Sequence, residues 1–358
     1  MDKYLIYSPN DMSVFIVSLL EKYNKTKYLG TQNTNYSIDR NWFTEHILFW
    51  LSKYIHPIFL LNIIALLSVI LTFTFSYFIF KKFTKHKLTL IIFSVFNTFS
   101  IYFLYRLQSQ TFALFLTFVI PFAFLLLYKK TNPILLAIFN FVVYLFFSYY
   151  AFYITIIFSF YYLYRFFTAS NKKIVIKKLS LYLIPLITLI LIFIYPKVNE
   201  NRIGTDTKQT TSRTTEDFYA FTQRPWYFVI PPTDSLFLNK FANNSLDKIK
   251  NTGNYLADDY NAQEGGGLFF GWHFLVIFIA TAFNLFRYPK KFNLSVKKQR
   301  YLKYLFFLFI FLFLISLPPA VTLKGLNFYT PNYIFLELFS FFRNFLRLAV
   351  PMFLIVLI

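Results

Sequence analysis

What this chain can fold into is bounded first by where its acids stand. Long apolar stretches divide it, and all 15 Asp and Glu residues fall in alternate intervals between those stretches, with none in the others. The acid-free intervals carry Lys81, Lys82, Lys85 and Lys87; Lys129 and Lys130; Arg165, Lys172, Lys173, Lys177 and Lys178; and Arg287, Lys290, Lys291, Lys297, Lys298, Arg300 and Lys303. Short cytoplasmic loops of membrane proteins are enriched in Lys and Arg in this way, so the pattern assigns these intervals to the inner side and the acidic ones to the outer side. Most of the formal net charge of +21 therefore belongs to inner loops. A nucleic-acid-binding protein would need a basic face on a soluble domain, and the sequence offers none.

Composition enters as support: 57% of residues are hydrophobic and 14% charged. A helix needs roughly 20 apolar residues to cross about 30 Å of hydrocarbon. The apolar stretches place spans near 57–80, 88–105, 111–128, 134–148, 150–167, 181–196, 267–286 and 302–318, with a last one opening near 347. The expected fold is all-α: a polytopic integral membrane protein with about nine transmembrane helices. Residues 134–167 are divided at Ser148-Tyr149-Tyr150 by a tight outer turn, because two crossings there preserve the charge alternation. Residues 1–56 form an outer juxtamembrane segment, 57–196 a helical bundle, 197–266 a long outer loop, and 267–358 further spans with an outer segment at 319–346. The last apolar run stops at Ile358 after about eleven residues, short of a span, and no export signal precedes the outer segment 1–56. A continuation at the C-terminus is therefore expected, and at the front either a helix ahead of residue 1 or a tail translocated by itself. The chain has no cysteine, which excludes disulfides and thiol ligation.

Polar chemistry has few places to sit. The spans hold almost no ionisable residue apart from His273, which argues against an ion-coupled carrier, since such proteins place ionisable groups near the midplane. The outer segments hold the candidates. In 1–56, apolar residues at helical spacing (Phe43, Ile47, Leu48, Trp50, Leu51) describe helices lying in the interface plane, either packed on the surface or walling a cavity at the outer leaflet. In the long loop, Arg224-Pro-Trp-Tyr-Phe-Val-Ile-Pro-Pro is too apolar to stay in water and is expected to dock on the outer membrane face. Asp11, after Ser8-Pro9-Asn10, is either a helix N-cap or a general base that takes a proton from an acceptor hydroxyl; Asp39 and Glu45 are further candidates for the base. Arg343 and Arg347, four apart in Phe341-Phe342-Arg343-Asn344-Phe345-Leu346-Arg347, share one face of a helix. They either reach lipid phosphates nonspecifically or clamp the phosphate of one lipid, for which the planar multi-donor guanidinium is suited. Arg106 and Gln108, in another short outer loop, could converge on the same phosphate. Glu264, in front of Gly265-Gly266-Gly267, reads as a solvated acid favouring a helix N-terminus or as a further substrate contact. The four histidines have no metal-binding spacing, and no metal or cofactor is expected.

The layout of an acid in the first outer segment, interfacial helices beside it, short inner loops, a long outer loop ending in Glu264 and glycines, and a late Phe-Phe-Arg-x-x-x-Arg run resembles bacterial members of the glycosyltransferase C superfamily. The resemblance implies transfer of a sugar from a polyprenyl-phosphate donor to a glycan, lipid or protein acceptor at the outer face of a bacterial cell membrane. It further implies that Asp11 acts as base while Arg343 and Arg347 hold the lipid phosphate. A clear acid-x-acid pair is not found in 1–56. Two other classes share the topology: a lipid or glycan flippase, and a polysaccharide polymerase or noncatalytic assembly protein.

Overall fold

The computed structural model describes residues 54–100, 117–204, 222–231, 235–250, 269–289, 294–323, 326–334 and 345–358, together with Ile47, Trp50, Leu51, Phe103 and Thr233. It is all-α apart from one short hairpin. Among the described residues, three helices are long and apolar enough to cross a membrane by length and composition, covering Asn62–Phe80, Lys172–Leu191 and Val296–Ser316. The chain forms two compact units, Met1–Ile79 with Arg106–Asp206, and Phe80–Tyr105 with Thr207–Ile358.

The first unit is built on α1 (Pro57–Phe80), α3 (Val119–Lys129), α4 (Pro133–Phe146), α5 (Ser148–Thr168) and α6 (Lys172–Gly204), with α2 (Lys87–Thr98) belonging to the second unit. Local chemistry sets the boundaries. α3 ends because Lys130 takes a left-handed conformation (φ 57°), from which its N–H reaches the carbonyls of Leu126 and Leu127. α4 begins two residues later with Asn132 as N-cap, its side chain accepting from the Ile134 N–H at 2.9 Å, and with Pro133 in the first turn, where a missing N–H costs nothing. The break between α4 and α5 falls at Phe147, which is extended (φ −160°, ψ 99°) for a single residue, immediately before the turn the sequence suggested. α4 and α5 pack on each other and both pack on α6. Their shared interior is aliphatic and aromatic, with Ala137, Tyr153, Ile154, Ile157, Phe158 and Tyr182 all but sealed from solvent.

Inside that apolar interior lies one polar cluster. Asn140 of α4 donates through Nδ2 to Thr155 Oγ1 of α5 at 2.6 Å and to Tyr182 Oη of α6 at 2.8 Å, joining three helices. Thr155 passes its own hydrogen to the Ala151 carbonyl at 2.8 Å. The Asn140 Oδ1 atom is buried with no hydrogen-bond partner among the described residues. α1 carries a second polar stripe, Ser68, Thr72 and Ser76, one turn apart and buried. Thr72 and Ser76 each donate to the carbonyl four residues back, and Thr72 Oγ1 also meets Thr117 Oγ1 at 2.9 Å. Such back-bonding satisfies a hydroxyl without help from a neighbouring helix.

The second unit contains α2, α7 (Asn239–Lys250), α8 (Trp272–Arg287), α9 (Val296–Ser316), a hairpin of β1 (Ala320–Leu323) and β2 (Leu326–Tyr329), and α10 (Ala349–Leu357). α10 packs against α2, α8 and α9. Phenylalanine fills the interfaces: Phe274 of α8 meets Phe93 and Phe96 of α2 and Phe353 of α10, while Phe278 meets Phe306 and Phe309 of α9. Gly271 precedes α8 at φ 86°, a conformation that a side chain resists, and its carbonyl accepts from the Leu275 N–H. The antiparallel hairpin, with Ala320 opposite Tyr329 and Leu323 opposite Leu326, lies in the segment 319–346, read from sequence only as an outer connection.

Candidate functional site

The polar groups of the second unit gather where α9 ends. A helix C-terminus leaves carbonyls without intrahelical partners, and here two pieces of chain supply donors to the end of α9 and the residues after it. The Gln223 N–H donates to the Ser316 carbonyl at 2.7 Å, and Ser316 Oγ lies 2.8 Å from Gln223 Oε1. Asn332 Nδ2 donates to the Leu317 carbonyl at 2.8 Å. Thr330 follows, its Oγ1 donating to the Pro318 carbonyl at 2.6 Å and its N–H to the Pro319 carbonyl at 2.9 Å. The segment at 222–231 and the stretch after the hairpin are thus fastened to four successive residues.

Residue 224 is the consequence of that fastening. Docking Gln223 on the end of α9 carries the next side chain inward, and Arg224 is only 1% exposed. Among the described residues it is the one charged side chain buried to this degree. Its Nη1 donates to Thr222 Oγ1 at 2.8 Å and to the Thr222 carbonyl at 3.2 Å, which fixes one edge of the guanidinium. A short 3-10 helix, Pro225–Phe228, follows and anchors the segment through its rings. Phe228 packs on Phe270 and Phe313, and Trp226 lies against the small cluster of Ile230, Ala242 and Leu246. Trp226 Nε1 and Asn332 Oδ1 are buried without a hydrogen-bond partner among the described residues. The arrangement places a fixed planar cation, an indole donor and a carboxamide acceptor in the same unit. Anions with several oxygens are the ligands such donors suit.

Of the candidate catalytic and substrate-binding residues named from sequence, Arg347 is described and the rest are not. It stands in a 3-10 helix, Phe345–Leu348, that packs on α9 and leads into α10. Arg347 is half-buried between Phe345 and Leu348, both fully buried. Asp11, Asp39, Glu45, Arg106, Gln108, Glu264 and Arg343 lie outside the described residues. The interfacial helix expected over 42–55 is represented by helical Ile47, Trp50 and Leu51. Among the described residues no three His, Asp or Glu side chains are grouped to hold a metal ion.

A family model described as a domain of unknown function (DUF6311) matches residues 46–358. The chain belongs to that family. No curated protein and no solved structure matches it. The matched stretch contains Arg106, Gln108, Arg224, Glu264, Arg343 and Arg347, whereas Asp11, Asp39 and Glu45 precede it. Sequence reading expects the Arg224 segment to dock on the outer membrane face and does not single out its arginine. The signal was present: a cation directly followed by Pro-Trp-Tyr-Phe is drawn inward when those rings are buried.

Proposed function

We propose that this chain is a multi-pass membrane protein of about nine crossings that transfers a sugar from a polyprenyl-phosphate donor to an acceptor at the outer membrane face. The observation that carries the reading is Arg224. A guanidinium buried on a loop segment and bonded along one edge to Thr222 is held in a fixed orientation. Arg347 brings a second guanidinium to the start of α10 in the same unit. In this proposal the two receive the donor phosphate together with Arg343, and Glu264 contacts substrate. Asp11 takes the proton of the acceptor hydroxyl as that oxygen attacks the anomeric carbon. The bond from the anomeric carbon to the phosphate oxygen breaks, and the lipid phosphate leaves with its growing charge met by arginine. The large number of apolar side chains exposed along the helices, among them Ile184, Val276, Ile279 and Phe283, supports a lipid surrounding.

The test uses the full chain reconstituted in vesicles containing a polyprenyl-phosphate hexose and a water-soluble acceptor. Loss of a preorganised donor to a developing oxyanion lowers turnover by about 100-fold or more, so Arg224→Met is expected to remove transfer while Arg224→Lys retains part of it. Donor that is cleaved supports transfer. Donor that only changes leaflet identifies a flippase, and donor that does neither identifies an assembly protein; both results refute the proposal.

A further inference from the structure

Between Pro231 and α7 the chain makes a turn at residues 236–238 whose first two side chains are the most exposed large apolar groups among the described residues, Leu236 at 89% and Phe237 at 92%. Neither lies on a helix face, so their exposure is not that of the lipid-facing side of a span. The turn is also rigidly held. The Asn239 N–H donates to the Ser235 carbonyl and the Ala242 N–H to the Leu238 carbonyl, which joins the turn to the first turns of α7. α7 in turn rests through Ala242 and Leu246 on Ile230 and Trp226. Its other face, with Lys240, Asn243, Asn244 and Asp247, is exposed and polar.

The height of this turn is set by Trp272. Phe241 packs its ring edge-on against Trp272 at 5.4 Å, and Trp272 Nε1 donates to the Val229 carbonyl at 2.7 Å. Trp272 is the first residue of α8, an apolar helix whose Val276, Ile277, Ile279 and Phe283 are exposed. Tryptophan at the end of an apolar helix marks the level of the lipid headgroups. A protruding Leu-Phe pair fixed at that level, beside Lys240 and on an amphipathic helix, has the composition of an element that enters the interface. We infer that the turn at Leu236 and Phe237 is a membrane anchor, inserted into the headgroup and upper acyl layer of the same bilayer that holds α8. Its occupant is lipid, with Lys240 turned to the phosphate layer. The anchor pins the docked segment, and Arg224 with it, at the membrane surface. This inference rests on the membrane reading of α8, and the test separates the two.

The chain has no native cysteine, so single labelling positions can be introduced into the full protein without further change. An environment-sensitive fluorophore is placed at Phe237→Cys, at Ile277→Cys on the exposed apolar side of α8, and at Asn244→Cys on the polar side of α7. Each variant is reconstituted in vesicles of phosphatidylcholine and phosphatidylglycerol carrying a shallow or a deep lipid spin label. The expected result is blue-shifted emission at 237 with stronger quenching by the shallow label, as for a group roughly 5–10 Å into the interface. Position 277 is quenched by lipid spin labels as well, and position 244 reports water. If 277 is quenched while 237 is not, the anchor is refuted and the membrane reading of α8 stands. If 237 is blue-shifted but immune to lipid quenchers, a protein surface covers it and the anchor is again refuted. If neither position is quenched, both readings fall together.

Discussion

The polar cluster joining α4, α5 and α6 gives a quantitative test of how the first unit holds together. In Tyr182→Phe the acceptor 2.8 Å from Asn140 Nδ2 is removed, while the 2.6 Å bond to Thr155 remains. One interhelical hydrogen bond of this kind between membrane helices is worth about 0.6 kcal/mol on average and about 1.7 at most. Asn140→Leu acts differently. It removes both donors but leaves the buried Tyr182 hydroxyl with Thr155 as a side-chain partner, so it costs about 0.5–1.5 kcal/mol per bond lost. Thr155 loses little, because it still donates to the Ala151 carbonyl. In the double variant neither the hydroxyl nor the carboxamide is present, and the Asn140 Oδ1 atom, which has no partner in the native cluster, disappears with them. Replacing both partners by apolar groups is close to neutral, so the double variant should be less destabilised than the sum of the singles, by about 0.6–1.7 kcal/mol. Reversible unfolding by SDS titration in mixed micelles measures all four corners of the cycle. Additivity within about 0.3 kcal/mol would show that Asn140 and Tyr182 do not interact, and the account of the cluster would be wrong.

Three further substitutions probe the second unit and the helix boundaries. Gly271→Ala should destabilise by about 1–3 kcal/mol through backbone strain alone, since the added Cβ would meet the Phe274 side chain at an ordinary 3.5 Å; an unchanged thermal midpoint would refute the positive φ. Trp272→Phe keeps a ring against Phe241 but loses the bond to the Val229 carbonyl, so a cost of about 1 kcal/mol is expected, together with faster proteolysis between 229 and 250; protection equal to that of the native chain would count against the link. Asn132→Ala removes the N-cap of α4 and should cost about 1 kcal/mol in the same unfolding assay, while Asn132→Asp, which retains an acceptor, should cost much less.

Much of this fold is legible in the sequence, and the misses share a cause. Apolar length alone placed α1 where it is found, at Pro57–Phe80. The division of 134–167 was foreseen from charge alternation and falls at Phe147. α6 begins at Lys172 rather than near 181, because Lys172, Lys173, Lys177 and Lys178 were read as loop although Ile174, Val175 and Ile176 between them continue a helix. α9 begins at Val296 rather than near 302 for the same reason, with Ser295 as its N-cap. Charge marks the side of a membrane, not the end of a helix. The hairpin went unseen because strands of four residues carry too little alternation to stand out. The site was the least legible part: Arg224 is chemically ordinary until the docking of Gln223 on Ser316 turns it inward, and that docking joins residues 93 positions apart.

The placement of α2 has a consequence for biosynthesis. Its phenylalanines pack against α8 and its surface against α10, yet α10 is translated roughly 250 residues later. At about 5–20 residues per second, α2 waits on the order of 10–50 s for its partner. Ser94 and Thr98, its buried hydroxyls, donate to the carbonyls of Leu90 and Ser94 within the same helix. An early segment that carries its own hydrogen-bond partners can remain in the nascent chain's surroundings without recruiting a wrong neighbour, and it delivers an already quiet surface when α10 leaves the ribosome.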